Sequence, residues 1–106
     1  MTALLLTLAL SAPAQTLSLE RDPVKWPQPD VWIVTGDGYR ERWVTISVWK
    51  ADALHQYGPW APGRTNSLNK PFTGFVPGTY RVDVRRGYQQ EATAGRLLKS
   101  GSFTIP

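Results

Sequence analysis

Residues 75–86, FVPGTYRVDVRR, limit what this chain can fold into more than any other stretch. From Thr79 onward the side chains alternate. Tyr80, Val82 and Val84 fall on one face of an extended strand, and Thr79, Arg81, Asp83 and Arg85 on the other. That pattern describes a strand with one dry face and one wet face, as in an antiparallel sheet covered on one side. Pro77-Gly78, just ahead, has the chemistry of a type II turn: proline fixes φ and glycine is free to make it positive.

The rest of the chain repeats this logic. Along residues 42–50, Val44, Ile46 and Val48 share one face, and Trp43, Thr45, Ser47 and Trp49 the other. Residues 31–35 (VWIVT) form an apolar run suited to a buried strand. With the turn signal Gly36-Asp37-Gly38 between them, the two runs are expected to pair as a hairpin. Trp43 and Trp49 then form an aromatic platform if their face meets solvent, or lie under a second layer or a neighbouring chain. Residues 51–56 are the only helix-compatible piece, about one turn long. Residues 57–71 (YGPWAPGRTNSLNKP) read as a long loop displaying Tyr57 and Trp60. There Trp60 serves either as a rigid anchor for a partner or as a lid on the core. Residues 72–76 read as a short strand and 87–95 as a polar connection. Residues 96–105 read as a last strand with a bulge at Gly101 and with Phe103 and Ile105 inward. Residues 21–30 hold Pro23, Pro27 and Pro29, so they cross in extended form, with Trp26 either capping the core or contacting a partner. Seven or eight short strands and no internal repeat predict an all-β fold, a sandwich or barrel.

Two readings compete for the start of the chain. Residues 1–19 carry no charged side chain. Leu4, Leu6, Leu8 and Leu10 alternate with Leu5, Thr7, Ala9 and Ser11, as in a strand that adds to a neighbour. The same run, followed by Ala12-Pro13-Ala14, also fits a secretory signal that ends in a small-residue cleavage site. It is too short to span a membrane. The expected organisation is an arm or signal over residues 1–14 and a single domain over 15–106.

Val76-Pro77-Gly78-Thr79-Tyr80, followed by Val82 and Val84, resembles the second half of fibronectin type III-like and other immunoglobulin-like sandwich domains. The resemblance implies an immunoglobulin-like antiparallel β-sandwich. In such a fold Tyr80 is the tyrosine-corner residue, and Trp32 or Trp43 is the buried tryptophan facing it. It implies no activity, because such folds host many functions.

Chemistry is scarce. The chain has no cysteine and one histidine, His55, without a second His or Cys nearby, so no metal or cofactor is expected. No serine has a nucleophile-elbow context and no glycine-rich loop has phosphate-binding spacing. Nothing pairs two carboxylates, and Asp83 is expected on the solvent face between Arg81 and Arg85. Hence no enzyme is expected. The net charge of +4 comes from scattered basic residues, only Arg85-Arg86 being adjacent, which argues against a nucleic-acid footprint.

The expected role is a non-enzymatic structural or decorating component of an extracellular assembly, such as a phage virion or surface layer. It would be homo-oligomeric and would contact neighbours through Leu4, Leu6, Leu8, Leu10, Trp26, Trp43, Trp49, Tyr57 and Trp60. The alternative is a secreted or periplasmic binding module whose exposed tryptophans hold a glycan or peptide. Pro77, Gly78, Tyr80, Val82, Val84 and Phe103 are expected to build the body.

Overall fold

The computed structural model describes residues 14–23 and 31–106, so the Leu4–Leu10 alternation and Trp26 lie outside the described residues. Seven strands run in order: β1 Ser18–Arg21, β2 Trp32–Gly36, β3 Val44–Lys50, β4 Ala53–Trp60, β5 Leu68–Phe72, β6 Gly78–Arg86 and β7 Leu97–Ile105. They form two antiparallel sheets, β1-β2-β5 and β4-β3-β6-β7. The fold is therefore an all-β sandwich. Among the described residues no helix is long and apolar enough to cross a membrane.

The period-two patterns set which faces meet. Leu19, Val34, Leu68 and Phe72 come from the three-stranded sheet. They pack against Val44, Ile46, Val48, Tyr80, Val82, Val84 and Ile105 from the four-stranded one. Val44, Ile46, Val48, Val82 and Val84 are wholly buried, each worth about 1.5–3 kcal/mol over leaving it in water. Phe103 lies opposite Tyr80 and packs at the margin of this core.

Tyr80 is fixed at both ends. Its ring meets Phe75 edge-on at 5.0 Å. Its hydroxyl donates to the Val76 carbonyl at 3.0 Å and accepts the Val76 N–H at 3.1 Å. This clamp shapes the approach to β6. Pro77 sits in a bend, and Gly78 opens the strand at φ +151°, far from the φ of about +80° that a type II turn needs. The expected type II corner does not form.

The expected hairpin between residues 31–35 and 42–50 is also replaced. β2 and β3 belong to different sheets, and the connection crosses from one layer to the other. Tyr39 plugs that crossing. It is fully buried, its hydroxyl donates to the Thr16 carbonyl at 2.7 Å, and its N–H donates to Asn66 O at 2.9 Å. Residues 51–56 are not a helical turn. Ala51-Asp52 make a tight turn and the chain returns as β4 beside β3. Much of the expected long loop at 57–71 is strand as well. Pro59 and Pro71 fit because β4 and β5 are edge strands, where a missing N–H can face away from the ladder. β5 ends at Phe72, so residues 73–76 are connection.

Two irregularities have local causes. The β3–β4 ladder shifts register at Val48/Trp49, leaving His55 as the extra residue. Its ring turns to Phe75 at 4.8 Å and Tyr80 at 5.6 Å, and Nε2 lies 2.8 Å from Thr73 O. In β7 the shift falls between Lys99 and Leu97 and not at Gly101, which pairs regularly with Val82. Gly101 is needed for room: a Cβ there would stand 2.9 Å from the Phe103 ring and 3.5 Å from Leu17.

Candidate ligand-binding site

The outer face of the four-stranded sheet is not open. β3 and β6 pair with Val44 opposite Arg86, and the next residue, Gly87, donates its N–H to the Trp43 carbonyl at 2.8 Å. The chain then folds back over the sheet. Thr45 is the peg: its Oγ1 donates to Gly87 O at 2.7 Å and accepts the Gln89 N–H at 2.9 Å. Tyr57 donates its hydroxyl to Gln90 O at 2.9 Å, and Arg85 Nη1 donates to Gly95 O at 2.9 Å. Gln89 Nε2 closes the loop on Arg86 O at 2.7 Å. Residues 87–95 thus roof the middle of the face, burying Thr45, Ser47 and Ala92.

This roof divides the expected aromatic platform in two. At one end Trp49 is half-buried. Its indole N–H donates to Ser47 Oγ at 3.2 Å and the Arg81 guanidinium lies 5.2 Å from its ring. Asp83 belongs to that end and is buried, which corrects the expected solvent position. It accepts from Ser100 Oγ at 2.6 Å and Arg81 Nε at 3.2 Å. At the other end Trp43 is 38% exposed and Tyr88 56% exposed. Their rings meet edge to face at 5.1 Å and 66°. Around this pair lies a depression of about 290 Å³, lined by Arg40, Glu41, Arg42, Trp43, Arg86 and Tyr88.

The depression is electrostatically open. Among the described residues the one ion pair is Arg81–Asp83, so Arg40, Arg42 and Arg86 have no carboxylate partner. Glu41 is the only acid among the described lining residues. Its Oε1 is buried and meets no hydrogen-bond donor among the described residues. Behind it, burial and then the Glu41 charge push the Tyr39 phenol up to about 12 from its ordinary 10. The site therefore offers two aromatic rings, three guanidinium groups and a single carboxylate. That set can hold a ligand by stacking and charge-assisted hydrogen bonds.

The other tryptophans are placed differently. Trp60 ends β4 half-buried against the core, with its indole N–H donating to Ser67 O at 3.0 Å. Trp32 is half-buried and meets Phe75 edge-on at 6.4 Å. Neither Trp32 nor Trp43 stacks on Tyr80, whose ring neighbours are Phe75 and His55. Of the four described tryptophans, Trp43 alone is exposed. Among the described residues no group of three or more His, Cys, Asp or Glu gathers as a metal site.

Sequence reasoning singled out Trp43 but missed Arg40, Glu41, Arg42, Arg86 and Tyr88. The signal was present as Arg42-Trp43 and Arg86-Gly87-Tyr88, two segments that the β3–β6 register brings side by side. Compared with known proteins, the chain matches no family model, no curated protein and no solved structure.

Proposed function

We propose that this chain is an immunoglobulin-like β-sandwich that binds a ligand without transforming it, as a secreted or periplasmic module. The fold part of this reading is supported by the strand orders β1-β2-β5 and β4-β3-β6-β7. The Tyr80 hydroxyl reaching back to the Val76 backbone supports it too, as a tyrosine corner would. One observation carries the binding reading: the Trp43–Tyr88 pair, exposed in a lined depression and held there by a loop pinned to the sheet. A preformed recess with aromatic walls and a few polar groups is the usual form of a small-molecule or glycan site.

Tryptophan fluorescence titrated with a panel of glycans and peptides tests this. The unaltered protein should respond to at least one ligand and Trp43→Ala to none. Silence across the panel removes the reading.

A structural or decorating role in a virion or surface layer is the second reading. It is favoured by exposed Leu54, which lies opposite half-buried Trp49 on the outer face and makes an apolar spot for a neighbour. It requires stable oligomers. Light scattering that gives a monodisperse monomer for the full chain counts against it.

A further inference from the structure

We infer that the ligand is an acidic sugar, a pyranose carrying a carboxylate or sulfate; this rests on the binding-module reading above. Charge complementarity is the first reason. Arg40, Arg42 and Arg86 line the recess without ion-pair partners among the described residues, and a guanidinium fork fits an oxyanion by two parallel hydrogen bonds. The second reason is shape. The Trp43 and Tyr88 rings, set at 66° to each other, make one ring-sized corner. The volume of about 290 Å³ sits at the small end for ligand pockets. An indole face suits the C–H face of a pyranose.

The third reason is Glu41. A carboxylate in the lining accepts hydrogen bonds from hydroxyl groups. An acidic sugar brings hydroxyls beside each anion; a polyphosphate chain does not. The roof of residues 87–95 also argues against single-stranded nucleic acid. It separates Trp43 from Trp49, whose ring already carries Arg81, so successive bases find no run of stacking platforms.

Calorimetric titration of the full chain separates the outcomes. The probes are oligogalacturonate for carboxylate, a carrageenan oligosaccharide for sulfate and maltotetraose as the neutral sugar, with oligothymidylate and oligoglutamate as other anions. The inference expects one or both acidic sugars to bind about tenfold or more tighter than maltotetraose. Arg42→Gln and Arg86→Gln should each weaken that binding several-fold and flatten its salt dependence. Trp43→Ala should abolish it. The two acidic arms identify which anion is read. If maltotetraose binds equally well, depends on Trp43 and ignores the arginine changes, the acidic-sugar inference fails and the binding module stands. If oligothymidylate or oligoglutamate outbinds both acidic sugars, the sugar assignment is overturned. If no probe binds, or Trp43→Ala changes nothing, the binding site itself is refuted. Circular dichroism confirms that each surface variant keeps its fold.

Discussion

Thr45→Val removes one oxygen and tests how the roof is held. The side chain is 1% exposed, so valine fits the space with little change of volume. Two hydrogen bonds vanish together, to Gly87 O at 2.7 Å and from Gln89 N at 2.9 Å. Each is worth about 0.5–1.5 kcal/mol net, and the stranded backbone groups add a penalty unless the loop lifts to reach water. The added methyl returns part of this. A net loss of about 2 kcal/mol follows, or a fall in Tm of about 8–10 °C for a domain this size. Urea unfolding followed by far-UV circular dichroism should show a lower midpoint and an unchanged slope. Amide exchange at Gln89 should speed up by at least an order of magnitude. Thr79→Val is the control: among the described residues its exposed hydroxyl meets only Thr104 Oγ1 at 3.2 Å, and its loss should cost under about 0.5 kcal/mol. If Thr45→Val matches the control and the Gln89 amide stays protected, the roof is held by something else. Tyr88 would then owe its place to another cause.

Tyr80→Phe should lose about 1–2 kcal/mol, read in the same urea experiment, because both hydrogen bonds to the Val76 backbone disappear; equal stability would show that the corner is ornamental. Tyr39 gives a pH effect. Its phenol is held neutral up to about 12 against an unfolded value of 10. Its stabilisation is therefore complete below pH 10 and is lost as the pH rises toward 12, by about 3 kcal/mol at most. Tyr39→Phe should flatten alkaline unfolding over that window, and a phenolate titration with no late-titrating tyrosine would contradict the shift. Gly101→Val should destabilise by about 2 kcal/mol or more in thermal unfolding, because its branches must displace the Phe103 ring; a neutral result would mean that this ring swings away freely.

How much of this was legible in the sequence depended on how local the cause was. Tyr80, Val82 and Val84 announced their burial because a strand with one dry face writes period two directly into the chain. The all-β sandwich followed from several such runs. The second half of β4 and most of β5 read as loop because Gly58, Pro59 and Pro71 signal interruption. That signal loses its force on an edge strand, and edge position is a property of the whole sheet. The false hairpin had the same root. Residues 36–41 look like a turn, but whether a chain turns back or crosses to the other layer is decided by what Tyr39 finds to bury against. Asp83 looked solvated because nothing nearby in sequence marks Ser100, its hydrogen-bond partner from β7, as its neighbour. The binding recess was least legible. Trp43 and Tyr88 are 45 positions apart in the numbering and meet only through the β3–β6 register.

The sheet borders differ in a way that bears on self-association. Among the described strands β1 has four residues, while β4 and β5 each contain a proline. Such borders are poor templates for a foreign strand. β7 is different: nine residues, no proline, and, among the described residues, only its β6 side is paired. Unwanted fibre growth or domain exchange in concentrated samples should therefore start along β7, with Lys99 as its main deterrent, and a proline placed there on an outward-facing amide would be the economical cure.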